Sequence, residues 1–260
     1  MQGFTLVELA MVLFIVTLLL GGMLVPLAAQ LEGRQRRAAE EQLEQIRDAL
    51  IGYALINGYL PCPSTTSDPT SPQYGVEDSR TGGRCNFSED MPGWTGDGIL
   101  PWKTLGLNSG LDPWGVNRTK STDPWVGYWR YRVQRAFTDD TNRFSLTTPA
   151  GDPGGVEPEV LCVVDANDNL LVAASETPIA IVYSTGPNRE ANRENRKYER
   201  TSPSSDCITS SDPGKPPIRY TGGPAFDEKN PNPDIAFDDL TIWLTRPMLF
   251  SRLVMAGVLP

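Results

Sequence analysis

Leu9–Leu31 reads LAMVLFIVTLLLGGMLVPLAAQL, 23 residues without a charged side chain, set between Glu8 and Glu32. The first basic residue of the chain is Arg34. A helix needs about 20 apolar residues to cross a hydrocarbon core, so the run is long enough for one span. A cleavable secretory signal would need a basic start and a shorter apolar stretch of roughly 7–15 residues. Neither is present. A plain anchor would explain the apolarity but not Glu8. A carboxylate near a spanning helix is costly and needs a cationic partner. Cleavage after Gly3 would supply one, the new α-amine of Phe4.

Working outward, residues 32–56 keep a helical rhythm. Ala39, Leu43, Ile46, Leu50 and Ala54 recur at spacings of three and four, which marks one face of a helix. Glu40, Glu41, Glu44, Arg47 and Asp48 occupy much of the rest. Gly58 and Pro61 are stop signals. A helix from Phe4 to Ile56 would be roughly 80 Å long at about 1.5 Å per residue. A coiled coil over 32–56 has no clean heptad to support it, so the apolar stripe is expected to pack on a sheet of the same chain.

The rest of the chain is loop-rich. The 260 residues include 24 Gly and 23 Pro, and 39% are hydrophobic, enough for a core. Residues 57–125 read as a long irregular region with short turns. Strand-like runs follow at Tyr128–Val133, Val160–Val164, Leu170–Ala174 and Ile179–Tyr183. Asp165–Asn169 is expected to turn a hairpin between the second and third of these. Arg130 and Arg132 alternate with Tyr131 and Val133, a two-faced strand whose arginine side is expected to face solvent. Leu249, Phe250, Leu253, Val254 and Met255 fit a terminal helix packed on the head. The fold class is therefore α+β. A long N-terminal helix, half transmembrane and half amphipathic, would pack on a small antiparallel head with long loops.

Composition removes several function classes. With 23 basic residues, 32 acidic and no histidine, the formal charge is −9. Without histidine there is no Ser-His-Asp triad, no Cys-His dyad and no His-ligated zinc. An acidic chain is a poor bulk partner for nucleic acid. No catalytic constellation is visible, so an enzyme is not expected. Asn188–Arg200, rich in Arg, reads as a surface loop. Four cysteines suggest two disulfides if the domain is exported, with three connectivities open. Cys62–Cys85 and Cys162–Cys207 are favoured because each closes a local loop. Zinc held by all four is disfavoured by the lack of a Cys-x-x-Cys pair.

Gly3-Phe4-Thr5-Leu6-Val7-Glu8, followed by an apolar helix, resembles the processing site of type IV prepilins and type II secretion pseudopilins. The resemblance implies that a prepilin peptidase cuts between Gly3 and Phe4 and N-methylates Phe4. Glu8 would then align each subunit against the Phe4 amine of a neighbour. Shorter matches resemble major pseudopilins: Asp112-Pro113-Trp114-Gly115, the strand Tyr128–Tyr131, Tyr183-Ser184-Thr185-Gly186 and Asp239-Leu240-Thr241-Ile242-Trp243.

By this resemblance the chain divides into a leader (1–3), a transmembrane and polymerisation helix (4–31), an amphipathic half (32–59) and a pilin-like head (60–260). It would be a structural subunit of a type IV pilus or type II secretion pseudopilus. Its partners would be other pilin subunits through residues 4–31, a prepilin peptidase and an inner-membrane assembly platform. Its place would be the bacterial inner membrane, single-pass with a periplasmic head, and then the filament. The alternatives are a minor pilin at a filament tip, acting as adhesin or DNA-uptake receptor, and a membrane-tethered binding domain. No cofactor is required. The resemblance does imply calcium in the loop before the last strand, with Ser184, Asp234, Asp238 and Asp239 as candidate ligands. The alternative is that Asp238-Asp239 caps the final element.

Overall fold

The computed structural model describes residues 6–86, 97–115, 125–148, 161–164, 170–172, 176–187, 218–221 and 239–258, with side chains 18–29, 97 and 218–221 excepted. Helix α1 runs from Leu6 to Asn57. It ends where Gly58 takes φ +78° and donates its N–H to the Ala54 carbonyl at 2.9 Å. Glycine adopts that left-handed turn without the penalty of a Cβ. Along the second half of α1, Ala39, Leu43, Ile46, Leu50 and Ala54 are all buried. Each large aliphatic side chain buried this way stabilises the fold by about 1.5–3 kcal/mol.

That stripe packs on a four-stranded sheet of order β3-β4-β6-β8, formed by Asp97–Ile99, Arg130–Val133, Pro178–Ser184 and Leu240–Thr245. All of its pairings are antiparallel. The register places Tyr131 opposite Val182, and Val182 opposite Ile242, on the face that meets α1. Alternation sends Arg130, Arg132, Ile181, Tyr183 and Trp243 to the other face. A hairpin of β1 (Arg80–Thr81) and β2 (Arg84–Cys85) lies within the region expected to be irregular. Helix α2, Arg246–Met255, starts on Thr245, whose hydroxyl accepts from the Met248 N–H. It buries Leu249, Phe250 and Leu253. Phe250 sits 6.0 Å from Phe144 and 6.3 Å from Phe137, ring centre to ring centre.

The expected architecture is corrected in two respects. Among the described residues, no helix is long and apolar enough to cross a membrane. The transmembrane half and the single-pass inner-membrane placement therefore do not stand.

The head, moreover, is not one small antiparallel sheet. Strand β5 (Leu161–Val164) pairs in parallel with β7 (Ile218–Thr221), and this pair forms a separate two-stranded sheet. Leu161 and Val163 pack with Ile181 and Tyr183 on the face away from α1. This second layer also overturns the reading of Arg130 and Arg132 as a solvated face, since they are only 3% and 1% exposed. The Arg130 guanidinium lies over the Trp125 ring at 4.7 Å and near the Tyr183 ring at 5.8 Å. Arginine tolerates such a site because its weakly hydrated, planar head stacks on aromatic faces. The expected turn at 165–169 lies outside the described residues, although Val164 and Leu170 on either side of it form an antiparallel bridge.

Candidate assembly site

The start of α1 is apolar and uncovered. Leu6 is 86% exposed, Phe14 67% and Met11 64%. The same helix thus has two regimes: a buried stripe from Ala39 to Ala54, and an outer end whose apolar side chains lie open. Contiguous exposed apolar surface on this scale marks an interaction site. Glu8 is exposed in the first turn of α1. A carboxylate there is favoured by the partial positive charge of the helix N-terminus. Gly3 and Phe4, the expected processing and assembly residues, lie outside the described residues.

Three of the short motifs converge at one end of the four-stranded sheet. Asp112 is 2% exposed. Its Oδ2 accepts from the Ser184 hydroxyl at 2.6 Å, and its Oδ1 accepts from the Trp114 N–H at 3.0 Å. Ser184 Oγ also accepts from the Gly186 N–H at 3.0 Å. Ser184 pairs with Leu240 across the sheet, which brings the buried Asp239 beside the same end. Gly115 and Gly127 cross so closely that a Cβ on Gly115 would meet the Gly127 carbonyl oxygen at 2.1 Å. That crossing permits the Asp112 N–H to reach the same carbonyl at 3.1 Å. Gln35 of α1 donates to the neighbouring Pro113 carbonyl at 3.5 Å. The node therefore ties the 112–115 turn to β6 and to the middle of α1.

Of the four expected calcium ligands, Ser184 and Asp239 fall at this node, while Asp234 and Asp238 lie outside the described residues. The Ser184 hydroxyl is already engaged by Asp112 and Gly186. Among the described residues, no group of three or more Asp, Glu or Cys side chains is placed to hold a metal ion. The chemistry of the node is that of a buried hydrogen-bonded lock, which orients backbone.

A second lock lies by the C-terminal end of α1. Cys62 and Cys85 form a disulfide with a Cα–Cα distance of 5.4 Å. Cys162 is also disulfide-bonded, and its expected partner Cys207 lies outside the described residues. Inside the 62–85 loop, Glu77 is a hub. Its Oε1 accepts from Tyr53 OH at 3.0 Å; its Oε2 accepts from the Cys62 N–H at 3.0 Å and from Arg80 at 2.7 Å. Arg80 also donates to the Thr138 carbonyl at 3.2 Å and lies over the Tyr59 ring at 4.5 Å.

Burial pushes the Tyr53 hydroxyl well above its ordinary range, and the adjacent Glu77 carboxylate pushes it further. Burial opposes the Arg80 charge, but the bond to Glu77 outweighs it and holds the guanidinium more firmly protonated. Sequence reasoning missed this hub. Its only local signal was a Glu and an Arg three residues apart in a stretch rich in Pro, Gly and Ser.

No family model, curated protein or solved structure matches the chain.

Proposed function

We propose that this chain is a structural subunit of a type IV pilus or type II secretion pseudopilus. A prepilin peptidase cuts it after Gly3, and it assembles into a helical filament through residues 4–31. The observation that carries this reading is the exposed apolar start of α1, from Leu6 to Val16, on a helix whose other half is seated on the head. Large apolar side chains in that state gain up to about 1.5–3 kcal/mol each when covered, and bundling with the same segment of other copies covers them. In the sequence, the Gly3-Phe4 junction stands just ahead of Glu8. The cut frees an amine on Phe4, and Glu8 of a neighbour supplies its counter-charge.

Two measurements test the reading. Intact mass of the protein from its producing cells should show loss of Met1–Gly3 and one added methyl group; an uncut chain would refute the reading. Glu8→Ala should be processed normally yet give few filaments. Wild-type filament yield from that variant would remove Glu8 from the assembly role.

A further inference from the structure

The face of α1 turned away from the sheet carries a second pattern. Arg34, Arg37, Glu41, Glu44 and Asp48 follow one another at spacings of three and four, so they form one line along the helix. All five are exposed, while Ala39, Leu43, Ile46 and Leu50 on the other side are buried. The line is divided by sign, basic at 34 and 37 and acidic at 41, 44 and 48. Arg36 pairs with Glu40, and Arg47 pairs with Glu44. Among the described residues, Arg34, Arg37, Glu41 and Asp48 have no ion-pair partner. A stripe that served only its own helix would alternate signs, with the acid N-terminal to the base. Here the order is reversed, and the acidic half places like charges at i,i+3 and i,i+4, which repel.

We infer that this face docks on the same face of a second copy, parallel to it and displaced along the helix axis. The basic half of one copy lies against the acidic half of the next. The inference rests on the filament reading above and adds its axial register. The chain itself carries both complementary halves in one line, on the helix whose apolar start is uncovered. The centres of the two halves are about nine residues apart, so the displacement is about 13 Å. In that arrangement the heads lie outside and the charged faces look inward towards one another. Exposed ion pairs are individually weak and sensitive to salt. They therefore set register, and apolar burial supplies most of the affinity.

The test uses the full chain in its producing cells, with filaments sheared, quantified and viewed by electron microscopy. Three variants are compared: Arg34→Glu with Arg37→Glu; Glu41→Lys with Glu44→Lys and Asp48→Lys; and all five changes together. Each partial variant should lower filament yield about tenfold or more. Producing the two partial variants together, or making all five changes in one chain, should restore yield to within about twofold. Unchanged melting of the head, read by circular dichroism, shows that folding is intact. If wild-type filaments form and the partial variants assemble equally well, or if the five-fold variant fails to recover, the register inference is wrong while the filament reading survives. If the wild-type chain is uncut and forms no filament, both fall.

Discussion

Replacing Glu77 by alanine tests the hub beneath α1. Three donors converge on its carboxylate: Tyr53 OH and the Cys62 N–H at 3.0 Å, and Arg80 at 2.7 Å. The pair is largely shielded, with side chains 18% and 13% exposed. Removing one partner of a buried ion pair costs roughly 3–5 kcal/mol, because the other charge is left uncompensated. Arg80 keeps the Thr138 carbonyl and lies 3.9 Å from an Asp140 carboxylate oxygen, so the lower end applies. About 3 kcal/mol is expected. For a head of this size each kcal/mol shifts the melting temperature by about 2–4 °C, so the loss is about 6–12 °C. Glu77→Gln should lose less, since the amide oxygen still accepts while the charge is gone. The assay is thermal unfolding followed by circular dichroism on oxidised protein, with the Cys62–Cys85 bond verified by mass. A shift under about 2 °C for Glu77→Ala would show that the hub carries no stability beyond a surface pair.

Two further outcomes are expected. Changing Cys62 and Cys85 together to serine releases a loop with a sequence separation of 23. This should lower stability by about 3–4 kcal/mol and the melting temperature by about 6–16 °C; an unchanged denaturant midpoint would contradict it. Asp139 is a pH-dependent brace. Burial opposes its ionisation, but the Asn142 and Thr141 N–H groups and Arg84 outweigh that and hold its carboxyl below the usual 3.8. A carboxyl whose folded value is depressed adds stability above the unfolded value and loses it as pH falls through the folded value. Wild type should therefore be more stable than Asp139→Asn at neutral pH, and the gap should close as pH drops below 3.8. A gap that stays constant down to acid unfolding would refute the assignment.

Where period and packing agree, the sequence is legible. Ala39, Leu43, Ile46, Leu50 and Ala54 announce a buried helical face, and that face is buried. Tyr131 and Val133 announce one side of a strand in the same way. The other side of that strand was misread, because nothing in Arg130 and Arg132 tells that a second layer will cover them. The layer comes from parallel pairing of 161–164 with 218–221, segments far apart in the chain, and alternation is silent about such partners. The polar node was half legible. Asp112, Ser184 and Asp239 each lay in a recognisable string, but the Ser184–Asp112 bond is a tertiary fact. Glu77 lay in a stretch where turn residues hid its role.

The run from Leu9 shows the limit most sharply. Hydropathy says which side chains need cover and nothing about what supplies it. At the start of α1 the described side chains stand open to whatever associates with them. Charge adds what hydropathy lacks, because apolar surface tolerates sliding and sign does not. A helix that exposes Leu6 to Val16 can meet another copy at many offsets with similar burial. Arg34 and Arg37 facing Glu41, Glu44 and Asp48 penalise all but one of them. On this reasoning, raising salt should blur the offset before it reduces the amount assembled.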